Sequence, residues 1–393
     1  MARGYENCHT VAHDLMPDNT TGQLYGQQII MKSMNIKKRK ERSQLNLQLP
    51  VPGPNKCIRP RLVISSKTTL VPTVAFDTYW RFAAERQNIF VKRATGLSGP
   101  WTTDPILSRF RFTNVYRASD RVSQYLIANI QYSGLQDVKS IFFRTILFKL
   151  FNKIETWELL KSVHGTLDPE PQFAKRYSAT LDSAMDSGQT IYSAAYIMPS
   201  GAGLYGYRRK HQTHLALLGQ MLKDDVPERL QACRTMRQAF NLLRTIPTFG
   251  DFLAYQYAID INYSSITDFD ESEFVMPGPG ACSGIKKCFS DIGNYSESDV
   301  IRWMVDHQEE EFAARGIKFH TLWGRRLQLI DCQNLFCEVD KYCRVYHPDL
   351  QGTSTRNRIK QEYRHNRTPL LFWFPPKWHL EIGYAHARAN RLA

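Results

Sequence analysis

From about Thr69 onward, apolar residues return every three or four positions, and that period restricts the chain to a packed, mainly helical globule. Within 120–130, Val122, Tyr125, Leu126, Asn129 and Ile130 fall at such steps and place one mostly apolar stripe along a helix. The same period predicts helices over 136–152, 211–222, 228–244, 251–261, 298–315 and 322–345. The fifth opens with Ser296 and Asp299 at the spacing of a capping box. Strand-like alternation is scarce. The stretch 189–198 is the best candidate and reads equally well as an ordered loop. No internal repeat is present, and an all-α or nearly all-α globule fits best.

Residues 1–65 behave differently. They have few apolar clusters, a basic run at 37–42 (KKRKER) and a turn-rich PVPGP at 50–54, which reads as a disordered basic arm ahead of a helical domain over 66–393. The chain holds 51 Lys and Arg against 37 Asp and Glu, a formal +14 that makes a polyanion the natural partner. The arm carries ten basic and four acidic side chains, so six of the fourteen net charges lie in the first sixth of the chain. Its basic run serves as a nuclear address, as a non-specific DNA contact or as a solvated charge cluster; composition leaves all three open.

The chain starts without an apolar signal core, so no secretory signal is expected. The greasiest stretch, 141–151, is too short to cross a bilayer and contains Arg144 and Lys149, which predicts a buried helix and no membrane partner. The expected location is intracellular: the nucleus in a eukaryotic host, otherwise the cytoplasm or nucleoid. Eight cysteines in such a chain suggest free thiols. Cys282, Cys288, Cys332, Cys337 and Cys343 offer thiolate ligands, but their spacing matches no zinc or iron–sulfur run, and no metal site is expected.

Two stretches carry chemistry. The first, 274–289, presents Gly278 and Gly280 before a helix start, with Lys286 and Lys287 one to two turns on. Bare backbone at a helix N-terminus suits a phosphate, and the pattern MPGPG resembles the hairpin of a helix-hairpin-helix unit, which holds the DNA backbone without reading sequence. A plain Pro/Gly turn before a helix reads the same way. The second lies between Tyr79 and Gln124, where arginines alternate with aromatic residues. Arg81 and Glu85 share a helix face, and Arg86, Arg117, Asp120, Arg121 and Gln124 complete a polar set. Guanidinium groups pair with phosphate while aromatic faces stack on an extruded base, so the mixture suits a nucleotide pocket; an interior ion-pair network is the competing reading.

The blocks 82–87 (FAAERQ), 100–107 (PWTTDPIL), 111–114 (RFTN) and 120–127 (DRVSQYLI) resemble the helical domain associated with 5-hydroxymethyluracil DNA kinases. So do 151–157 (FNKIETW), 250–256 (GDFLAYQ) with Asp260, 276–280 (MPGPG) and 335–342 (LFCEVDKY), in the expected order over roughly 70–350. That domain belongs with the α-glutamyl/putrescinyl thymine pyrophosphorylases, base-hypermodification proteins related to helix-hairpin-helix DNA glycosylases. The resemblance implies a glycosylase-like fold. It also implies double-stranded DNA with a modified thymine as partner, alongside a separate kinase or base hydroxylase, and transfer of an amino acid or polyamine onto a pyrophosphorylated base. A DNA N-glycosylase and a non-catalytic DNA-binding partner of a separate kinase are the alternatives.

The glycosylase carboxylate motif corresponds to Val339-Asp340, which makes Asp340 the leading acidic residue, with Glu85 and Asp120 beside it as catalytic candidates. Arg86, Arg117, Arg121 and Gln124 form the expected base or phosphate pocket, and Gly278, Gly280, Lys286 and Lys287 the backbone-holding group. Two departures matter. Gly280 and Asp340 lie farther apart than in simple glycosylases, which requires an insertion, and Cys282 stands where lyase-type enzymes carry their Schiff-base lysine. No Gly-x-x-x-x-Gly-Lys-Ser/Thr occurs, so no cofactor is evident and ATP is not expected in a Walker-type site.

The loop 196–203 with 207–211 and His214 joins glycines to cations and suits a pyrophosphate or an ordinary exposed turn; His211 and His214 lack a third zinc ligand. The aromatic tail 371–378 is expected to pack on the core.

Overall fold

A computed structural model describes residues 63–64, 69–194, 198–201, 203–364, 370, 372–380 and 382. The basic run at 37–42, the 65/66 boundary and parts of the 196–203 loop lie outside the described residues.

Fourteen α-helices run through the described residues. The first five are α1 (Val74–Ala94), α2 (Pro105–Arg109), α3 (Arg121–Leu126), α4 (Val138–Phe151) and α5 (Ile154–His164). Then come α6 (Phe173–Asp186), α7 (Lys210–Lys223), α8 (Val226–Ala232), α9 (Met236–Arg244) and α10 (Asp251–Asn262). The last four are α11 (Pro279–Cys288), α12 (Glu297–Asp306), α13 (Gln308–Ala314) and α14 (Leu329–Tyr346). Three short antiparallel strands, β1 (Val63–Ile64), β2 (Thr69–Pro72) and β3 (Phe289–Asp291), pair in that order, with Val63 opposite Leu70 and Pro72 opposite Phe289. The mainly helical class predicted by the periodicity is the class observed.

Two helices centre the packing. α4 is buried around its whole circumference from Ser140 to Phe151, with α5, α7, α8 and α10 against it. Asp137 caps its start by accepting the Ser140 N–H at 2.9 Å, and Asn152 ends it in the left-handed conformation at φ 49°. α14 is the second centre, flanked by α1, α11 and α12. Gly284 makes the α11 contact possible: a Cβ there would stand 2.0 Å from the Phe336 carbonyl oxygen.

Several predicted helices are shorter than the period suggested. The 228–244 segment breaks after Ala232, and Thr235 starts α9 by accepting the Gln238 N–H at 3.2 Å. The 298–315 segment breaks at His307, although the Ser296/Asp299 capping box forms as predicted. The 322–345 segment is helical only from Leu329, because residues 322–325 form a turn in which Trp323 and Gly324 have φ of 47° and 90°. The 120–130 stripe passes from α3 into a π-helical turn at Ile127–Gln131. Described residues of 189–198 form no strand.

The aromatic tail packs inward. Phe372 lies 4.8 Å from Trp323, and Trp378 lies 5.6 Å from Tyr263, centroid to centroid. No described helix is long and apolar enough to cross a membrane.

Candidate functional site

The predicted catalytic and pocket residues divide into three environments. On α1, Glu85 accepts the Thr102 hydroxyl at 2.5 Å. Arg86, one residue on, donates from Nε to the Thr113 carbonyl (2.9 Å) and from Nη2 to Asn114 Oδ1 (2.5 Å) and the Phe112 carbonyl (3.3 Å). The Asn114 N–H in turn donates to Asp120 Oδ1 at 2.7 Å, so Arg86 and Asp120 meet through one asparagine. Asp120 is half-buried. Burial pushes its carboxyl up to about 6, against the opposing pull of the Asn114 N–H and the Arg86 charge. α14 adds Glu338, whose Oε2 accepts the Thr113 N–H at 2.9 Å and pairs with Lys341 at 2.6 Å. The sequence reading missed both; their i, i+3 spacing was the available signal.

Arg117 and Gln124 point elsewhere. Arg117 is 2% exposed and pairs with Asp260 at 2.6 Å, while Lys149 pairs with the same carboxylate at 3.1 Å. Burial raises the Asp260 carboxyl, but the two cations outweigh it and hold the group below the usual range. Gln124 is buried and accepts the Trp373 N–H at 2.6 Å, which anchors the aromatic tail. Arg121 is exposed.

The third environment surrounds Asp340, on the face of α14 that meets α11. Ser283 donates to its Oδ1 at 2.8 Å, Lys287 pairs with it at 3.1 Å, and Arg344 pairs with Oδ2 at 2.6 Å. Gly352 closes the top; a Cβ there would lie 3.1 Å from Oδ1. Burial raises this carboxyl, yet the Arg344 and Ser283 hydrogen bonds and the two cationic charges hold it below the ordinary value of 3.8. It is ionised, enclosed and only 2% exposed.

In the 274–289 turn, Gly278 is the N-cap of α11, with Pro279 in the first helical turn. A Cβ on Gly278 would stand 2.7 Å from the Phe252 ring, and one on Gly280 2.9 Å from Cys337 Sγ. Lys286 is exposed, whereas Lys287 is buried against Asp340. Residues 263–278 separate α10 from α11. The turn and the Arg86–Asp120 cluster therefore reach α14 from different sides, through Cys337 and Asp340 in one case and Glu338 and Lys341 in the other.

Two further carboxyls escaped the sequence reading. Asp331, 4% exposed, accepts the Arg117 N–H at 2.8 Å and the Gln328 N–H at 3.0 Å. Burial, with Glu271 nearby, pushes it up to about 7 despite those donors. Glu271 is likewise raised by burial and faces Arg325 at 3.0 Å. His214, lowered to about 4 by burial, is neutral: it lies 2.9 Å from the Tyr192 hydroxyl through Nδ1 and 2.8 Å from the Pro199 carbonyl through Nε2. Donation to the carbonyl requires the proton on Nε2. Cys288, Cys332 and Cys343 are buried thiols, and Cys282 and Cys337 are half-buried.

Residues 73–352 match the family described as "5-hmdU DNA kinase, helical domain". A 5-hmdU DNA kinase of Bacillus phage SP10 is 28% identical over 322 residues, which covers 77% of this chain and 50% of that protein. The chain thus spans about half the length of the curated relative it matches. No solved structure matches it. The matched residues run from the start of α1 past the end of α14 and include every candidate above, from Glu85 to Asp340. The chain belongs to the 5-hmdU DNA kinase helical-domain family.

Proposed function

We propose that this chain engages double-stranded DNA carrying 5-hydroxymethyluracil and processes the activated base, transferring an amino-acid or polyamine nitrogen onto it. The Asp120–Asn114–Arg86 arrangement carries the reading: a half-buried carboxyl raised to about 6 beside a fixed guanidinium. Such a group is ionised at neutral pH yet basic enough to accept a proton. The amine nitrogen bonds to the exocyclic carbon at the 5-position of the base, the bond from that carbon to the pyrophosphate oxygen breaks, and the amine proton passes to Asp120. Arg86 and exposed Arg121 offset the charge of the departing pyrophosphate. Asp340 is given a positioning role, since its oxygens are already taken by Ser283, Lys287 and Arg344. In the absence of a Walker-type sequence, phosphoryl transfer is assigned to a separate kinase polypeptide or segment.

The enclosure of Asp340 favours one second reading, a non-catalytic DNA-binding partner of such a kinase. Nucleoside mass spectrometry separates the two. DNA carrying 5-hydroxymethyluracil or its pyrophosphorylated form is incubated with the protein, amines and ATP. Transfer yields a new nucleoside mass, and Asp120→Asn lowers its formation by about 100-fold or more. Free base would instead show an N-glycosylase. Unchanged nucleosides, with DNA affinity intact, would show the binding partner.

A further inference from the structure

Beyond Tyr346 the chain doubles back across the face that holds Asp340. Gly352 lies over Ser283 and Asp340, the Ser354 N–H donates to Ser283 Oγ at 3.3 Å, and Arg344 donates to the Arg358 carbonyl at 3.3 Å. The segment then pairs antiparallel with the end of α2: Phe110 is opposite Glu362, the Arg111 N–H donates to the Gln361 carbonyl at 3.0 Å, and the Tyr363 N–H to the Arg109 carbonyl at 2.8 Å. This strap and the edge it joins bear Arg109, Arg111, Arg356, Arg358, Lys360 and Arg364, all exposed, against the single carboxylate of Glu362.

Among the described residues, only Arg109 of these six has a carboxylate partner, Glu362 at 3.7 Å. Two exposed arginines elsewhere, Arg176 and Arg326, are by contrast neutralised closely, by Glu170 at 2.5 Å and by Glu309 at 2.7 Å. A concentrated strip of uncompensated positive charge costs self-repulsion, which a regular polyanion relieves. The strip also borders the Arg86–Asp120 cluster, because Arg111 precedes Phe112 and Thr113, whose carbonyls Arg86 holds. Arg356, Arg358, Lys360 and Arg364 lie past residue 352, where the family match ends.

We propose that this strip, formed by strap residues 356–364 and the Arg109–Arg111 edge, is the surface that seats the phosphate backbone of duplex DNA. The inference deepens the function proposed above and rests on it. Its contacts are sequence-independent and position the duplex with one groove toward Asp120.

The test uses the full chain and a short unmodified duplex, with binding followed by fluorescence anisotropy across rising salt. The triple variant Arg356→Ala, Arg358→Ala, Lys360→Ala is compared with Lys139→Ala, Lys175→Ala, Lys223→Ala, three exposed lysines on α4, α6 and α7. Each lost phosphate contact flattens the log–log salt slope by about 0.9, so the strip variant is expected to lose about 2 to 3 units of slope and to bind about tenfold or more weakly. The lysine variant is expected to match wild type. Equal effects from both triples, or an unchanged slope in the strip variant, would overturn the strip while leaving the DNA reading in place. Failure of wild type to bind duplex at low salt would overturn the DNA reading itself.

Discussion

At the scale of single residues, glycine and arginine carried the most ambiguous signals. Gly278 and Gly280 read from sequence as backbone kept bare for a phosphate, but the structure places Phe252 and Cys337 where their side chains would go. A close approach to DNA and a close approach to a neighbouring helix demand the same missing Cβ, so sequence alone does not separate them. Gly284 gives the clearest consequence. In Gly284→Ala the new methyl meets the Phe336 carbonyl at 2.0 Å, a backbone atom that cannot rotate away, so α11 must lift from α14. Urea denaturation is expected to show a loss of about 3 kcal/mol or more. Gly219→Ala, in the interior of α7 with Phe173 at an ordinary 3.7 Å, is expected to gain about 0.5–1 kcal/mol through helix propensity. A Gly284→Ala variant as stable as wild type would remove the packing explanation for that glycine. Arg117 shows the same ambiguity for charge. Its partners Asp260 and Gln256 are more than 130 positions away in the chain, so nothing local distinguishes a core ion pair from a phosphate ligand.

At the scale of elements, the period of three and four was enough to locate α4, α7 and α10 nearly to the residue, because each buries a broad apolar face. It ran through the breaks at Cys233–Thr235 and His307, where the apolar spacing continues while a cap or a turn interrupts the backbone. It also missed α5 and α6. The strap over Asp340 was illegible for a different reason. Residues 350–364 are mostly polar and have no apolar period, so their position is set by the tertiary contacts of Gly352, Ser354 and Arg358 and by the pairing of Gln361 and Tyr363 with the end of α2. Gly352→Ala tests that arrangement. Its Cβ would stand 2.1 Å from Ser283 Oγ, which forces the hydroxyl or the strap to move. Limited proteolysis within 350–364 is expected to run about tenfold faster, equivalent to about 1.4 kcal/mol in the local opening equilibrium, while the global unfolding midpoint moves little. Unchanged cleavage would mean that the strap does not depend on that contact.

For the molecule as a whole, buried carboxyls of two kinds set opposing pH dependences. Asp260 and Asp340 are held below 3.8 by their cationic partners, so the stability they contribute is present above 3.8 and lost as acid protonates the folded form. A formal net charge of +14 steepens that acid limb through self-repulsion. Asp120 and Asp331 are raised to about 6 and about 7, so between 3.8 and those values the folded state holds protons that the unfolded state has released. Their contribution to stability therefore falls as pH rises through that window. The two carboxyls pull the urea midpoint down through that window, against an opposing rise up to about 6.5 from His214, whose imidazole burial lowers to about 4, so their share is read from the difference between wild type and variant. Asp120→Asn keeps an oxygen for the Asn114 N–H and removes one of the two titrating groups, so its midpoint should decline less steeply between pH 4 and 6, with the acid limb unaltered. A parallel decline in wild type and variant would show that Asp120 does not titrate at about 6, and would remove the proton acceptor from the proposed transfer. If the declines differ, the ionisation that lowers stability is the one the proposed transfer requires, and on that proposal transfer should rise with pH through the same interval in which the fold weakens.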